Sequence, residues 1–313
     1  MKVIHDLSQM PSLEGSVVTD GMFDGVHLGH QSILQQVSSR AKSKGLSSVL
    51  LTYWPHPRHV LAGKEARIPL LTSLEEKARL VEEQGIDYML VIAFSKDFSQ
   101  MSHERFVREI LAEGLNTREL VVGYDHRFGL NRLGDVSYLN QAGLEYGFTI
   151  VEIGKQEVDA ITISSTKIRY ALQNFLLDSA RSFLGRPYSV LGTVVKGDQR
   201  GRTIGFPTAN LQVDEPWKLI PADGVYATRT KVGETWFPSM TNIGHRPTVD
   251  GRKHTLETHL IGFDNDLYGQ CIEVAFWAPI RQEIRFSGLD ALKEQLKADR
   301  QQSLFLLGES VVL

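Results

Sequence analysis

Thr19-Asp20-Gly21-Met22-Phe23-Asp24-Gly25-Val26-His27-Leu28-Gly29-His30 is the stretch from which the fold of the first half is read. Residues 15–19, with Val17 and Val18, read as a short buried strand, and Ile33, Leu34, Val37 and Ala41 recur at helical spacing just beyond the stretch. Strand, Gly-rich loop and helix start therefore follow in order. Gly21, Gly25 and Gly29 permit tight turning and close approach of backbone to a ligand, and the first turn of the helix offers unpaired N–H groups to an anion. His27 and His30, three apart, would then face the same phosphates, where ring N–H groups donate to oxygens that gain charge. Two other readings of the pair stay open on the residues alone: a metal site, although no nearby Cys or regular His partner completes one, and ordinary polar residues at a helix start.

Outward from this turn, apolar runs at 48–53, 88–93, 119–123 and 148–153 read as further strands, with helical patterns around 73–84, 102–112 and 135–146 between them. Such alternation predicts a mostly parallel sheet covered by helices on both faces, of Rossmann-like type. Ligands bind beyond the carboxyl ends of the strands in these sheets, at a switch point of strand order. The opening turn lies at such an end.

Three later loops should converge on it. Thr52-Tyr53-Trp54-Pro55-His56-Pro57-Arg58 sets an aromatic pair before a loop stiffened by two prolines; Trp54 reads equally as a core residue. Gly123-Tyr124-Asp125-His126-Arg127-Phe128-Gly129 places charged and aromatic residues between glycines directly after a strand, the pattern of a binding loop, or of a plain surface loop with an Asp125–Arg127 pair. Ile163-Ser164-Ser165-Thr166-Lys167-Ile168-Arg169 has hydroxyls at a helix start and a guanidinium one turn inside, which together make an anion cradle; capping alone explains the serines.

The pattern changes at Gly185-Arg186-Pro187, giving an expected division into 1–184 and 185–313. Short alternating runs at 188–195, 224–230, 235–240, 255–261 and 271–277 predict an antiparallel barrel or sandwich, closed by an amphipathic helix around 289–306. The second half carries its own polar loop, from Lys196 through Arg200, Gly201, Arg202, Gly205 and Pro207 to Asn210. Its charges between glycines suit a phosphate flap, and Thr208 with Asn210 offers two hard oxygen donors; a plain turn is the competing reading. Period-two alternation puts Glu257 and His259 on one face of a strand and Leu256, Thr258 and Leu260 on the other. On pattern alone, Glu257 also reads as a solvated strand residue.

Residues 19–30 resemble the His-x-Gly-His signature of the nucleotidyltransferase superfamily, in the Phe-Asp-Gly-Val-His-x-Gly-His form of the bacterial bifunctional riboflavin kinase/FMN adenylyltransferase (FAD synthetase) family. Asp20 and Met22 stand where that pattern has an apolar residue and often Asn, and His126 where Phe is common. The loop at 123–129 is similar to the family's Gly-x-Asp-x-Arg-Phe-Gly, 163–169 to its Ile-Ser-Ser-Thr-x-Ile-Arg, and 201–210 to the riboflavin kinase signature Gly-Arg-Thr-x-Gly-Phe-Pro-Thr-Ala-Asn. The segment from Asn242 to Thr248 resembles a further family motif, in a supporting role.

The resemblance implies a nucleotidyltransferase domain at 1–184, a barrel-like riboflavin kinase domain at 185–313, and two successive reactions, riboflavin to FMN and FMN to FAD, with ATP as co-substrate and Mg²⁺ as the ion. It implies catalytic roles for His27, His30 and Glu257, the last as base with Tyr268-Gly269 downstream. ATP and phosphate contacts fall by the same likeness to Gly21, Phe23, Asp24, Gly25, Gly29, Asp125, Arg127, Ser164, Ser165, Thr166 and Arg169 in the first half. In the second half they fall to Lys196, Gly201, Arg202, Gly205 and Pro207. Trp54, His56 and Pro57 become neighbours of the flavin, and Thr208 and Asn210 the metal ligands.

Composition sets the frame. The chain has 313 residues, 42% hydrophobic and 23% charged, enough for two folded domains. A net charge of −3 gives no basic footprint for nucleic acid, and the single cysteine, Cys271, excludes an intrachain disulfide. Residues 1–8 lack a signal-peptide core and no apolar run is long enough for a membrane helix, so a cytoplasmic protein without a membrane partner is expected. Two other classes compete: a nucleotidyltransferase for another substrate, which would not carry the signature at 201–210, and a flavin carrier, which would have no reason for two phosphate cradles and Glu257.

Overall fold

The computed structural model describes residues 1–63, 67–123, 135–154, 163–197, 200–248 and 251–309, except the side chains of Arg200, Arg202, residues 245–248 and residues 251–253. The chain divides into two compact units, Met1–Ser165 and Thr166–Leu313. This break precedes the change of sequence pattern at 184/185.

The first unit is a six-stranded sheet in the order β1-β4-β3-β2-β5-β6, from β1 (Lys2–Ile4), β2 (Ser16–Asp20), β3 (Ser47–Trp54), β4 (Tyr88–Ala93), β5 (Thr117–Gly123) and β6 (Thr149–Ile153). Every pairing is parallel. Neighbouring residues of one strand feed opposite cores. Val18, Leu51, Leu90 and Leu120 face one cluster with Phe106 and Leu139, while Val17, Leu50, Met89 and Val121 face another with Leu34, Val37 and Val81. That two-sided burial is why these strands read as continuous apolar runs. The helices covering them are α1 (Leu28–Lys44), the short α2 (Pro57–Leu61), α3 (Leu74–Glu82), α4 (π-helical over Phe106–Gly114) and α5 (Val136–Tyr146). α3 opens on a full capping box, Ser73 with Glu76, and α1 closes on Gly45 in the left-handed region.

From β2 the chain moves outward to β3 and β4, then crosses to the other side of β2 to form β5 and β6. Strand order therefore reverses at β2. The turn at residues 20–30 leaves the carboxyl end of this strand, the position at which sheets of this kind bind their ligands.

The unit boundary falls after the first residue of α6 (Ser165–Gln173); the rest of α6 and α7 (Leu177–Leu184) group by contact with the barrel that follows, and the Ala222 amide donates to the Leu172 carbonyl at 3.0 Å. The closed barrel runs β10-β11-β8-β7-β12-β9, from β7 (Tyr188–Val195), β8 (Ala209–Gln212), β9 (Gly224–Val232), β10 (Thr235–Thr248), β11 (Gly251–Leu260) and β12 (Cys271–Arg281). The short β8 begins at the end of the stretch read as a loop and runs two residues beyond it. α8 (Leu289–Leu307) closes the chain, tied to the barrel by the buried Arg281–Asp299 ion pair at 2.7 Å and by Ser303 Oγ donating to the Ser239 carbonyl.

The barrel interior is not wholly apolar. Thr228, Thr230, Ser239, Thr241 and Thr258 are each 0% exposed and bond to one another: Thr228 to Ser239 and Thr241, Thr230 to Ser239, and Thr241 to Thr258. Each of these five hydroxyls has a partner, as buried polar groups require.

Candidate functional site

The first unit bends sharply after β2. Phe23 and Val26 take positive φ, 46° and 38°, alongside Gly25 at 87°. A side chain at Gly25 would place its Cβ 2.7 Å from Leu71, so glycine is required there on two counts. His27 then caps α1, its Nδ1 accepting from the His30 amide at 3.3 Å. A neutral His27 that accepts at Nδ1 carries its proton on Nε2, a donor on the opposite side of the ring. The two rings stack at 3.6 Å with 15° between planes, and Phe23 packs on His30 at 4.8 Å. The expected histidine pair is thus brought together at the first turn of a helix.

Asp24 is held by the segment that leads into α3. Its carboxylate accepts the Leu71 amide at 2.9 Å and the Thr72 amide at 3.1 Å, and the Gly25 amide donates to Thr72 Oγ1. Its carbonyl receives Ser165 Oγ at 2.9 Å, which joins the end of the 163–165 segment to the turn. Thr166 and Arg169 lie further along α6, in the second unit.

Pattern reading missed Lys77. It is 1% exposed in the first turn of α3, its Nζ 3.4 Å from Thr52 Oγ1 and 5.6 Å from the centre of the Trp54 ring. Burial pulls its pKa down to about 8, against the upward pull of Asp24. A signal was present: Leu74, Ala78 and Val81 form the buried stripe of α3, and Lys77 falls on that stripe.

The Trp54–Pro55 peptide is cis, and His56 caps α2 by accepting the Arg58 amide at its Nδ1, with Pro57 at the first helical position. Trp54 packs, partly buried, against the core cluster that includes Leu34, Val37 and Val81. Asp20 also gains a partner, since the Tyr53 phenol hydrogen bonds to it; burial first and Asp20 second hold that phenol well above its usual range. Asp125 and Arg127 lie outside the described residues.

In the second unit, strand register assembles the other group. Glu257 on β11 stands opposite Asn242 on β10 and opposite Asn210 on β8. Thr208, just before β8, donates its hydroxyl to Glu257 Oε2 at 3.4 Å. The Asn210 amide is seated under Gly197, where an added Cβ would fall 2.3 Å from its nitrogen. Gly201 is equally restricted, a Cβ there meeting the Phe206 carbonyl at 2.2 Å. Gly205 takes φ 85°, Lys196 and Pro207 are exposed, and the Arg202 side chain is outside the description.

Thr208 and Glu257 border a cavity of about 670 Å³ that is also lined by Ile284, Phe286 and, from α8, Leu289, Leu292 and Leu296. Thr208 also borders a smaller hollow of about 100 Å³ with Asn265, Asp266 and Tyr268. His259, unassigned from sequence beyond its strand face, holds the flap: its Nδ1 lies 2.8 Å from the Pro207 carbonyl and Phe206 packs on its ring. Burial pushes the His259 pKa down, more than the Pro207 carbonyl raises it. Among the described residues no cluster of three His, Cys, Asp or Glu side chains forms a metal site, and no helix is long and apolar enough to cross a membrane.

A family model described as FAD synthetase matches residues 9–167, and one described as riboflavin kinase matches residues 184–307. The bifunctional riboflavin kinase/FMN adenylyltransferase of Escherichia coli K12 is 42% identical over 297 residues, covering 95% of this chain and 94% of that one. The chain belongs to the bifunctional riboflavin kinase/FMN adenylyltransferase family. A second member, from Pseudomonas fluorescens, is 38% identical over 303 residues, 96% of both chains. A solved structure described as a macrolide-efflux protein of Streptococcus pneumoniae matches with TM-score 0.87 and 28% identity over 96% of this chain and 98% of its own.

Proposed function

We propose that the chain makes FAD from riboflavin in two ATP-dependent steps, phosphorylation to FMN in the barrel unit and adenylylation of FMN in the α/β unit. The observation that carries the reading is that Asn242, Glu257 and Thr208 border the 670 Å³ cavity, with Thr208 bonded to Glu257 and Asn210 paired opposite Glu257 on the neighbouring strand.

The cavity offers apolar walls for a flavin ring and a carboxylate for its ribityl hydroxyl. Glu257 takes the proton of that hydroxyl as its oxygen attacks the γ-phosphorus of ATP, and ADP departs. The nucleotide approaches from the side of the smaller hollow, with Thr208 between the two spaces. Thr208 Oγ and the Asn210 amide oxygen are hard donors, a set that fits Mg²⁺, and Gly197 fixes the amide. When bound, the ion would neutralise charge on the ATP phosphates. Lys196, Gly201, Arg202, Gly205 and Pro207 form the flap over those phosphates, with His259 holding its Pro207 end.

In the first unit the nucleophile is the FMN phosphate, ionised at neutral pH, so no base is required. That oxygen attacks the α-phosphorus of ATP and pyrophosphate leaves. His27, from Nε2, and His30 donate to the phosphoryl oxygens, beside the amides of the α1 start and the backbone of Gly21, Phe23, Gly25 and Gly29. Asp24 acts by shaping the turn, Ser164 and Ser165 lie at the end tied to it, and Trp54, His56 and Pro57 form the flavin side. Asp125, Arg127, Thr166 and Arg169 carry the expectation from the sequence. We place both reactions in the cytoplasm.

A time course of the purified chain with riboflavin, ATP and Mg²⁺, separating riboflavin, FMN and FAD, tests the reading, with FMN supplied in a parallel reaction. FMN preceding FAD is expected. FMN that accumulates without FAD in both reactions would remove the adenylylation assignment, and riboflavin left unconverted would remove the kinase assignment.

A further inference from the structure

Lysine is seldom buried, and a desolvated ammonium is retained at a cost that an apolar side chain of similar volume would avoid. Lys77 is 1% exposed. Its position near the start of α3 adds to the cost, because the amino end of a helix disfavours a cation. What surrounds it gives the reason. From β3, Thr52 Oγ1 stands 3.4 Å from Nζ and itself donates to the Met22 carbonyl of the phosphate turn at 3.4 Å, the Trp54 ring lies 5.6 Å away, and the charge of Asp24 in the same turn favours the ammonium. Asp24 in turn holds the Leu71 and Thr72 amides and, through its carbonyl, Ser165. The ammonium therefore stands where the phosphate turn and the aromatic end of β3 meet.

We propose that Lys77 is a positioning residue for adenylyl transfer, whose buried charge holds the Asp24 turn in register with Thr52 and Trp54 and releases that hold on losing its proton. The proposal rests on the assignment of FMN adenylylation to this unit. The neighbours leave Asp24 as the charged group facing it from the turn; β3 presents Thr52 and Trp54, and Glu76 on its own helix is bonded to the Ser73 amide. The core that α3 closes against α1 and the sheet presents Leu34, Val37, Leu50 and Met89, all uncharged. Loss of activity on the alkaline side, in the range where Lys77 titrates, at about 8, is thus built into the turn.

The test measures FAD formation from FMN and ATP from pH 6.5 to 9.5 for the full-length chain, Lys77→Met and Lys77→Arg, with riboflavin phosphorylation and thermal unfolding followed on the same preparations. We expect kcat for FAD formation to fall at least tenfold in Lys77→Met at pH 7 with riboflavin phosphorylation unchanged. The alkaline decline of the parent should be lost in Lys77→Met and moved beyond pH 9.5 in Lys77→Arg, whose guanidinium does not titrate there. Parent-like kcat and pH profile in a folded Lys77→Met overturn the proposal. If that variant unfolds, Lys77→Arg decides: an alkaline decline identical to the parent's overturns it. A parent chain that forms no FAD at any pH instead overturns the adenylylation assignment on which the proposal rests.

Discussion

Thr208 Oγ donates to Glu257 Oε2 at 3.4 Å, joining two residues 49 apart in the chain. The contact exists because β8 pairs with β11, setting Asn210 opposite Glu257 and Thr208 just beyond the paired rung. A carboxylate and the two oxygen donors expected near it thus share one end of one strand pair.

Glu257→Gln keeps the shape of the side chain and removes the proton acceptor. Riboflavin phosphorylation should fall by roughly 10²–10⁴ while FMN adenylylation by the same preparation is unchanged. Separated products over time measure both, and FMN formed at the parental rate would end the role of Glu257 as base.

His27 has two tasks that substitution can separate. His27→Ala removes a helix cap, at about 1 kcal/mol, along with the Nε2 donor. His27→Asn keeps a capping oxygen but not the distal donor. Both variants, and His30→Ala, should lower FAD formation by about 10² or more with riboflavin phosphorylation retained. Full FAD activity in His27→Asn would show that the cap, not the donor, is what matters.

Asp24→Ala strips the Leu71 and Thr72 amides of their acceptor and removes the negative charge that favours the Lys77 ammonium. We expect about 3 kcal/mol or more of lost stability in the first unit, read from denaturant unfolding, with a matching loss of FAD formation. Unchanged stability would show that the 71–72 segment holds itself.

His259 is held below the usual histidine range by burial. Its proton affinity is therefore higher in the unfolded chain, and stability is lost as pH falls from about 6.5 towards the folded-state value. Unfolding midpoints of the parent should decline over that interval, and His259→Gln should decline less. Equal slopes would assign the acid sensitivity to other groups.

Asp299 is fully buried in its pair with Arg281. Asp299→Ala should cost about 3–5 kcal/mol and, by loosening the helix that carries Leu289, Leu292 and Leu296, raise KM for riboflavin more than it lowers kcat. Steady-state kinetics beside thermal unfolding separates the two effects.

Local pattern carried much of this architecture. Val17 and Val18, buried on opposite faces of the sheet, made β2 legible as an apolar run, and Gly25 with its positive φ marked the turn. Alternation placed Glu257 and His259 on the face opposite Thr258 correctly, because a barrel wall has only two sides. The four-residue β8 was not legible, since it is held by pairing to β7 and β11 rather than by its own composition. Nor was the use of Asp24: the residues it bonds, Leu71 and Thr72, are remote in sequence, and a carboxylate in a Gly-rich turn reads as readily for ligand as for scaffold. Lys77 was hidden by its type, because a lysine among apolar residues is normally assigned to the wet side of a helix.

The hydroxyls bonded inside the barrel also guard against mispairing. If β11 slid by two residues against β10 so that Leu260 faced Thr241, every side chain would keep its side of the wall and the apolar pattern would be satisfied. Thr258 would then face Ile243, and the bond from Thr241 to Thr258 would be gone. Each stranded hydroxyl costs about 1–3 kcal/mol in such a setting. The five side chains serve the folding chain as a proofreading mark, rejecting an alignment that hydrophobicity alone would accept.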